Sequence, residues 1–491
     1  MVKMKTIEYF KFVLILTITP LLIISCKTIK APDDLKNAWV PSEREKNSQI
    51  SDIQWQILKK RNIDISQPLG LVELTDIALS NSPLTRRAWE NARAKEALQR
   101  QAQSTLYPQV TVSADGTKEK TVANIHSANT NEFRWGPSAK LTYLLFDFGG
   151  RGAAIEESAQ AILSANFQFN QSLQDLLLAT ETAYYNLYSA QALWQASQAN
   201  LKASQTSYES VEKKRITGLA SKLDELQAKS NYDNALYLVE QTTEEIEKAK
   251  SQLAQVLGFP AGTEIKIAQP PQKVSFDITE SDVNSLIEEA LLKRQDISSL
   301  RADLQSKEAA IRVANSSLWP TLNVGGSGEK NWYKYYGTSG DRDDGYGYTA
   351  FLKLDWDIFD GFYNLNRKRQ RQAEAEAQRE ILNQAELQAS TQVWVAYYTF
   401  KASLKKLTYS QALYETTETA YELAIQSYRN GLYSILDLLQ TQNELADARS
   451  KLVESQKQTY LGLANLAYAT GSLGIQGKNL NLAKNITGGK R

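Results

Sequence analysis

The chain has 491 residues, a formal net charge of +1, and a single histidine and cysteine. That balance gives no electrostatic case for a nucleic-acid partner, and one His with one Cys leaves no material for a zinc cluster, a Cys–His pair or a disulfide framework. With no phosphate-binding glycine loop and no nucleophile–base set, neither an enzyme nor a cofactor is expected. His126, set among Asn, Ser and Thr, reads as a solvated loop residue.

The N-terminus carries Lys3, Lys5 and Lys11, then an apolar run from Phe12 to Ile24 that ends Ile23-Ile24-Ser25-Cys26. A basic start, a short apolar stretch and a small residue before the cut are the marks of a secretory signal, and the run is short for a membrane span. The apolar pair and serine before Cys26 resemble a bacterial lipobox, which implies cleavage after residue 25 and a covalent lipid on Cys26. Lys27 follows, where an aspartate often marks inner-membrane retention.

From Leu71 to Gly471 the sequence repeats with a period of about 213 residues. "STLYPQVTV" at Ser104 answers "SSLWPTLNV" at Ser316, "LLFDFGGRG" answers "DIFDGFYN", and Tyr184-Tyr185 answers Tyr397-Tyr398. Each copy has an alanine-rich helix that stops at Tyr-Pro or Trp-Pro, two alternating segments, a very long helix, a glycine turn and another long helix. Residues 153–217, 219–257 and 362–430 contain neither Gly nor Pro; a helix of that greatest length is a rod of roughly 100 Å. Leu173, Leu177, Thr180, Tyr184, Leu187, Gln191 and Trp194 step by four and three as a coiled-coil seam. Val393, Tyr397, Phe400, Leu404, Leu407, Gln411 and Tyr414 repeat it.

The alternating segments have a period of two. One face of 346–358 carries Tyr346, Tyr348, Ala350, Leu352, Leu354, Trp356 and Ile358; the other carries Gly347, Thr349, Phe351, Lys353, Asp355 and Asp357. In the first copy Phe133, Trp135, Ala139, Leu141, Tyr143 and Leu145 oppose Arg134, Ser138, Lys140 and Thr142. Apolar-out, polar-in strands with aromatic ends suit an outer-membrane barrel. One chain offers about four such strands, too few to close, and an open edge in lipid leaves backbone groups unsatisfied. Two chains give about eight strands, whose interior side chains fill; three give about twelve, wide enough for a lumen, which favours a trimer.

The two Tyr/Trp-Pro strand starts, the two Phe-Asp-Gly-like joints, the two glycine turns and "LTDIALSNSP" at Leu74 resemble the TolC-type outer-membrane efflux channels, in their lipoprotein branch. The resemblance covers nearly the whole mature chain. It implies a mainly α protein with a β-barrel part, built from duplicated helix–strand–strand–long-helix units. Three copies then form a 12-stranded outer-membrane barrel continuous with a periplasmic helical tunnel. The expected division is a signal at 1–25, an N-terminal lipidated segment at 26–70 packing on the periplasmic part, repeats at 71–269 and 270–471, and a tail at 472–491. Strands are expected at about 106–118, 133–147, 318–333 and 346–360. The implied function is a passive exit duct of an efflux or type I secretion system. Its partners are two further copies, a periplasmic adaptor, an inner-membrane RND or ABC transporter, and outer-membrane lipid. The other reading is a coiled-coil lipoprotein tethering the outer membrane, which has no use for four lipid-facing segments.

"GLASKLDELQAK" from Gly218 and "GLYSILDLLQTQ" from Gly431 are the reversal points of the rods. Glycine there supplies the left-handed conformation that ends a helix, and Ser221 and Ser434 with Asp224 and Asp437 three places on form Ser-x-x-Asp capping boxes. The resemblance adds roles. Asp437 lines the periplasmic constriction as a threefold anionic ring, and Tyr428 holds Asp224 to keep the gate closed. Gln440 stands where the family's reference channel has a second ring aspartate, and Tyr433 where it has a gate arginine. Gly218, Leu219, Gly431 and Leu432 are expected to meet the adaptor. Finally, Arg367, Lys368, Arg369 and Arg371 crowd the start of a helix whose dipole disfavours cations, either as a solvated face or as a contact for anionic headgroups.

Overall fold

The computed structural model describes residues 67–121, 130–270, 283–336 and 342–473. The signal, Cys26, the rest of the segment to residue 66, His126, Pro271 and the tail beyond 473 lie outside them. In chain order the elements are α1 (Leu71–Asn81), α2 (Pro83–Gln103), β1 (Gln109–Thr121), β2 (Thr130–Phe146), α3 (Gly150–Ile216) and α4 (Lys222–Val256). Then come α5 (Val283–Lys293), α6 (Gln295–Ser316), β3 (Thr321–Tyr335), β4 (Arg342–Asp355), α7 (Tyr363–Arg429) and α8 (Ile435–Ala469). The rods α3 and α7 each have 67 residues and α4 and α8 each have 35. The repeat therefore holds register along the whole of each rod, and a 67-residue helix is about 100 Å long.

The four strands form one antiparallel sheet in the order β1-β2-β3-β4. Pairing places Val112, Ala139, Gly328 and Tyr348 in one row and Val110, Leu141, Gly326 and Ala350 in the next. The polar rows between them include Thr111, Lys140, Ser327 and Thr349. The two faces read from the alternation are thus continuous across both copies. The apolar face is bare in the protomer: Tyr346 and Tyr348 are 87% and 86% exposed, far above what a folded chain leaves on a water-facing sheet without a partner. The outer edges of β1 and β4 have no strand beside them among the described residues.

The strands differ from expectation at their ends. A 3-10 turn at Ser104–Leu106 and the Tyr107-Pro108 pair delay β1, and Trp319-Pro320 delays β3, because proline brings no N–H to a ladder. β4 stops at Asp355, so Trp356 and Ile358 belong to the joint below the sheet, where Trp356 Nε1 donates to the Leu318 carbonyl at 3.3 Å.

Each joint turns the chain with two successive left-handed residues, Phe148 (φ 50°) and Gly149 (85°) in one copy, Gly361 (69°) and Phe362 (67°) in the other. The aspartate before each pair caps the rod that follows. Asp147 Oδ2 accepts from Arg151 N at 2.6 Å, and Asp360 Oδ2 accepts from Asn364 N at 2.9 Å. This explains why Phe-Asp appears at both joints: the carboxylate satisfies first-turn N–H groups that the sheet cannot reach.

Below the joints α3 packs on α2, α4, α6 and α8, and α7 packs on α6 and α8. The main core gathers Leu74, Phe169, Leu173, Leu187, Leu253 and Leu257 around the middle of α3, each worth about 1.5–3 kcal/mol of burial. Residues 67–70 join it: Leu69 is buried and bridges Ile267 in parallel, and Tyr184 donates its hydroxyl to the Ala268 carbonyl at 2.7 Å. The expected seams hold at Leu173, Thr180, Tyr184 and Leu187 and at Val393, Tyr397 and Phe400, all buried. Farther down they lapse. Trp194 and Gln411 are exposed there in the protomer. Hydroxyl pairs hold the rods instead: Ser197 with Thr242 at 2.9 Å and Ser410 with Ser455 at 2.5 Å.

Candidate functional site at the helical turns

Both rods reverse the same way. Gly218 and Gly431 have φ of 76° and 75° with nothing near the position of an added Cβ. Leu219 N donates to the Lys214 carbonyl at 2.7 Å and Leu432 N to the Ser427 carbonyl at 2.9 Å, while Gly218 N and Gly431 N reach Arg215 and Tyr428 carbonyls. This is the Schellman pattern, which needs the left-handed residue that glycine supplies. Leu219 and Leu432 stand 77% and 78% exposed at the two tips, with Leu223 and Leu436 exposed beside them.

Both capping boxes are closed. Asp224 Oδ2 accepts from Ser221 N at 2.8 Å and Ser221 Oγ accepts from Asp224 N at 3.1 Å. Asp437 Oδ2 accepts from Ser434 N at 3.0 Å and from Ser434 Oγ at 2.7 Å. The Ser434 hydroxyl and N–H hold the Asp437 carboxyl below its usual range, so it is ionised while it caps. Asp437 remains in solvent. Gln440, one turn on, is exposed and donates to Glu444 Oε1 at 3.1 Å, so Asp437, Gln440 and Glu444 follow one stripe of α8. Tyr433 is half exposed in the turn itself.

The expected bond between Tyr428 and Asp224 does not form in the protomer. The Asp224 carboxylate is occupied by its own helix start, and Tyr428 is buried in a cluster with Val211, Ala228, Ile435, Leu438 and Leu439. Burial, and then the nearby Asp224 charge, push the Tyr428 phenol upward. What clasps Tyr428 is Lys214 of α3. Its Nζ lies 3.8 Å from the ring centroid and donates to the Tyr428 carbonyl at 3.4 Å. A cation over the ring and on the last carbonyls of α7 ties the first copy's turn to the second's.

Two further features escape a reading of motifs. Buried Glu225 pairs with Arg215 and, at 2.9 Å, with Lys222, fastening the end of α3 to the start of α4. The matching positions in the second copy are Tyr428, Leu438 and Ile435, so an ionic trio in one tip is an apolar trio in the other. Setting the two copies side by side reveals that exchange. Gln442, fully buried, sends its Nε2 to Ser204 Oγ at 2.5 Å and Asn200 Oδ1 at 3.4 Å and accepts from Ser207 Oγ at 3.3 Å. It pins α8 to α3 at the height of the gate stripe, on the other side of the helix. Helical spacing sets it on the stripe of Ile435, Leu438 and Leu445 and leaves Gln440 on the opposite, exposed one, but its partners on α3 have no signal in the sequence.

Comparison with known proteins supplies the context. The sequence pattern of the outer membrane efflux protein family matches residues 74–259 and 286–472. Protein CyaE of Bordetella pertussis is 26% identical over 410 residues, 83% of this chain and 85% of the relative. Outer membrane protein TolC of Escherichia coli is 25% identical over 430 residues, 84% of each. The fold is also that of the CmeC outer membrane channel of Campylobacter jejuni, with a TM-score of 0.73 at 18% identity over 93% of this chain and 97% of that one.

Proposed function

The chain belongs to the outer membrane efflux protein family and is an outer-membrane channel component of an efflux or type I secretion system; on that premise we propose that it acts as a passive trimeric duct whose gate lies at the two glycine turns. The observation that carries this is the joining of two 67-residue rods to a four-stranded sheet with an exposed apolar face and two open edges. Neither edge is stable in lipid until it meets another strand. Three copies bring twelve strands and close that ring, and the polar rows at Thr111, Lys140, Ser327 and Thr349 then line the lumen. A tether between membrane and wall has no use for such a sheet.

In this duct Asp437 supplies one carboxylate per protomer to a ring around the axis, and Gln440 beside it keeps the ring to one charged layer. Tyr433 leaves the closing network without an arginine. Tyr428 serves the closed state through Lys214, with Asp224 acting on it by charge. The exposed Leu219 and Leu432 beside Gly218 and Gly431 offer a periplasmic adaptor an apolar footing, through which an RND or ABC pump passes its cargo. Cys26 carries the lipid that anchors each N-terminus to the outer membrane. The test is conductance. The protein purified in detergent should run as a trimer and open channels in planar bilayers, and a monomer soluble without detergent would overturn the duct.

A further inference from the structure

We propose that Arg367, Lys368, Arg369 and Arg371 form a binding surface for anionic phospholipid headgroups of the leaflet facing the periplasm. The duplication provides an internal control. Over the same stretch of the first copy the residues are Ala154, Ile155, Glu156 and Ser158. There α3 forms a rod of the same length as α7 without a single cation in those places. The fold therefore does not require them, and at the start of a helix they oppose its dipole. From Asp360 to Glu374 four cations face two acids, whereas in the first copy Arg151 stands alone against Asp147, Glu156 and Glu157.

Depth is the second argument. Immediately above the cluster the joint is a belt of exposed aromatic rings: Trp356, Phe359, Phe362 and Tyr363. Such rings sit at the membrane–water boundary. Helical rise puts Arg367 to Arg369 roughly 6–9 Å below Tyr363 and Arg371 about 12 Å below. The headgroup layer is roughly 5–8 Å thick on each side, so three of the four cations fall at its level or its lower rim.

Direction is the third. Lys368 donates to Asn315 Oδ1 of α6 at 2.8 Å, which fixes the side of α7 that faces its neighbour in the wall. Successive helical residues turn by about 100°, so Arg367 lies to one side of that direction and Arg369 to the other. Whichever side is the outer one, it carries an arginine. Arg371 is engaged by Glu374 at 2.8 Å, and Arg369, exposed, has among the described residues a single long contact, to Asn366 at 3.4 Å. Guanidinium groups of this kind pair with phosphate oxygens in a forked geometry.

This inference rests on the membrane reading of the sheet, and the experiment separates the two. Full-length protein is reconstituted in vesicles, and brominated phosphatidylglycerol is set against brominated phosphatidylcholine, with quenching of tryptophan fluorescence as the readout. Wild type should favour phosphatidylglycerol, by on the order of fivefold for each cation that reaches the headgroups. The preference should fall with salt and survive replacement of chloride by inorganic phosphate at equal ionic strength. The variant R367Q/K368Q/R369Q/R371Q should quench equally with both lipids. Arg367→Gln and Arg369→Gln are also tested singly: the one on the outer side should lose part of the preference, which covers the case in which the fourfold variant misfolds, and a full preference in both overturns the proposal. A wild type without preference, or a fourfold variant that keeps it, overturns the proposal while leaving the barrel intact. Abolition by inorganic phosphate overturns it in favour of a free-anion site. Absence of quenching by either lipid removes the membrane sheet and the proposal together.

Discussion

Replacing Tyr428 by Phe, and separately Lys214 by Met, distinguishes two ways of holding the gate shut. If the phenol hydroxyl were the latch, Tyr428→Phe would open the channel. In the structure that hydroxyl makes no bond to Asp224, and the ring is held by Lys214 Nζ at 3.8 Å and the carbonyl behind it at 3.4 Å. Phenylalanine keeps the ring and the carbonyl, so Tyr428→Phe should leave the closed state nearly unchanged. Lys214→Met fills similar space but loses the charge, and with it about 1 kcal/mol for a half-exposed cation–π contact. A threefold-symmetric gate whose protomers release together loses that contribution three times. About 3 kcal/mol in the closed–open balance is a change on the order of 150-fold. Single-channel recording in planar bilayers reads it directly: long closed dwells in wild type and Tyr428→Phe, and a mostly open trace in Lys214→Met. An open Tyr428→Phe channel with a closed Lys214→Met channel would refute this account and restore the hydroxyl as the latch.

Asp437→Asn keeps a capping side chain but removes the charge, so block of the channel by multivalent cations should weaken; unchanged block in bilayer recordings would remove the ring from the gate. Gly218→Ala and Gly431→Ala should each lower stability by about 1 kcal/mol, from backbone strain alone since the space around both is empty; a thermal midpoint equal to wild type would contradict the turn geometry. Glu181 is pushed by burial to about 7 from 4.5, beside Tyr185. The folded chain thus keeps a proton that the unfolded chain has released, and stability present below pH 4.5 is lost as pH rises through about 7, by up to about 3 kcal/mol per protomer. Glu181→Gln should flatten that slope in thermal melts across this window, and a wild type with no slope there would show the carboxylate to be solvated or paired.

The sequence by itself determined the elements and their order, because each rests on a local or periodic signal. The absence of Gly and Pro measured the rods, the proline pairs and glycine turns bounded them, and the period-two alternation assigned both faces of the sheet. The Ser-x-x-Asp boxes at Ser221 and Ser434 were readable because capping spans only three residues. Duplication then doubled each signal. Tertiary structure decided what depends on pairs far apart in the chain. Asp224 turned inward to its own helix start while Lys214 took Tyr428, 214 positions away. That choice follows from how two turns pack, and no spacing within either one encodes it. Likewise Gln442 and Gln440 share one short motif, yet one is sealed against Ser204 on α3 and the other faces water. Helical spacing sets Gln442 on the buried stripe, but that Ser204, Ser207 and Asn200 meet it there is decided only when the rods come together.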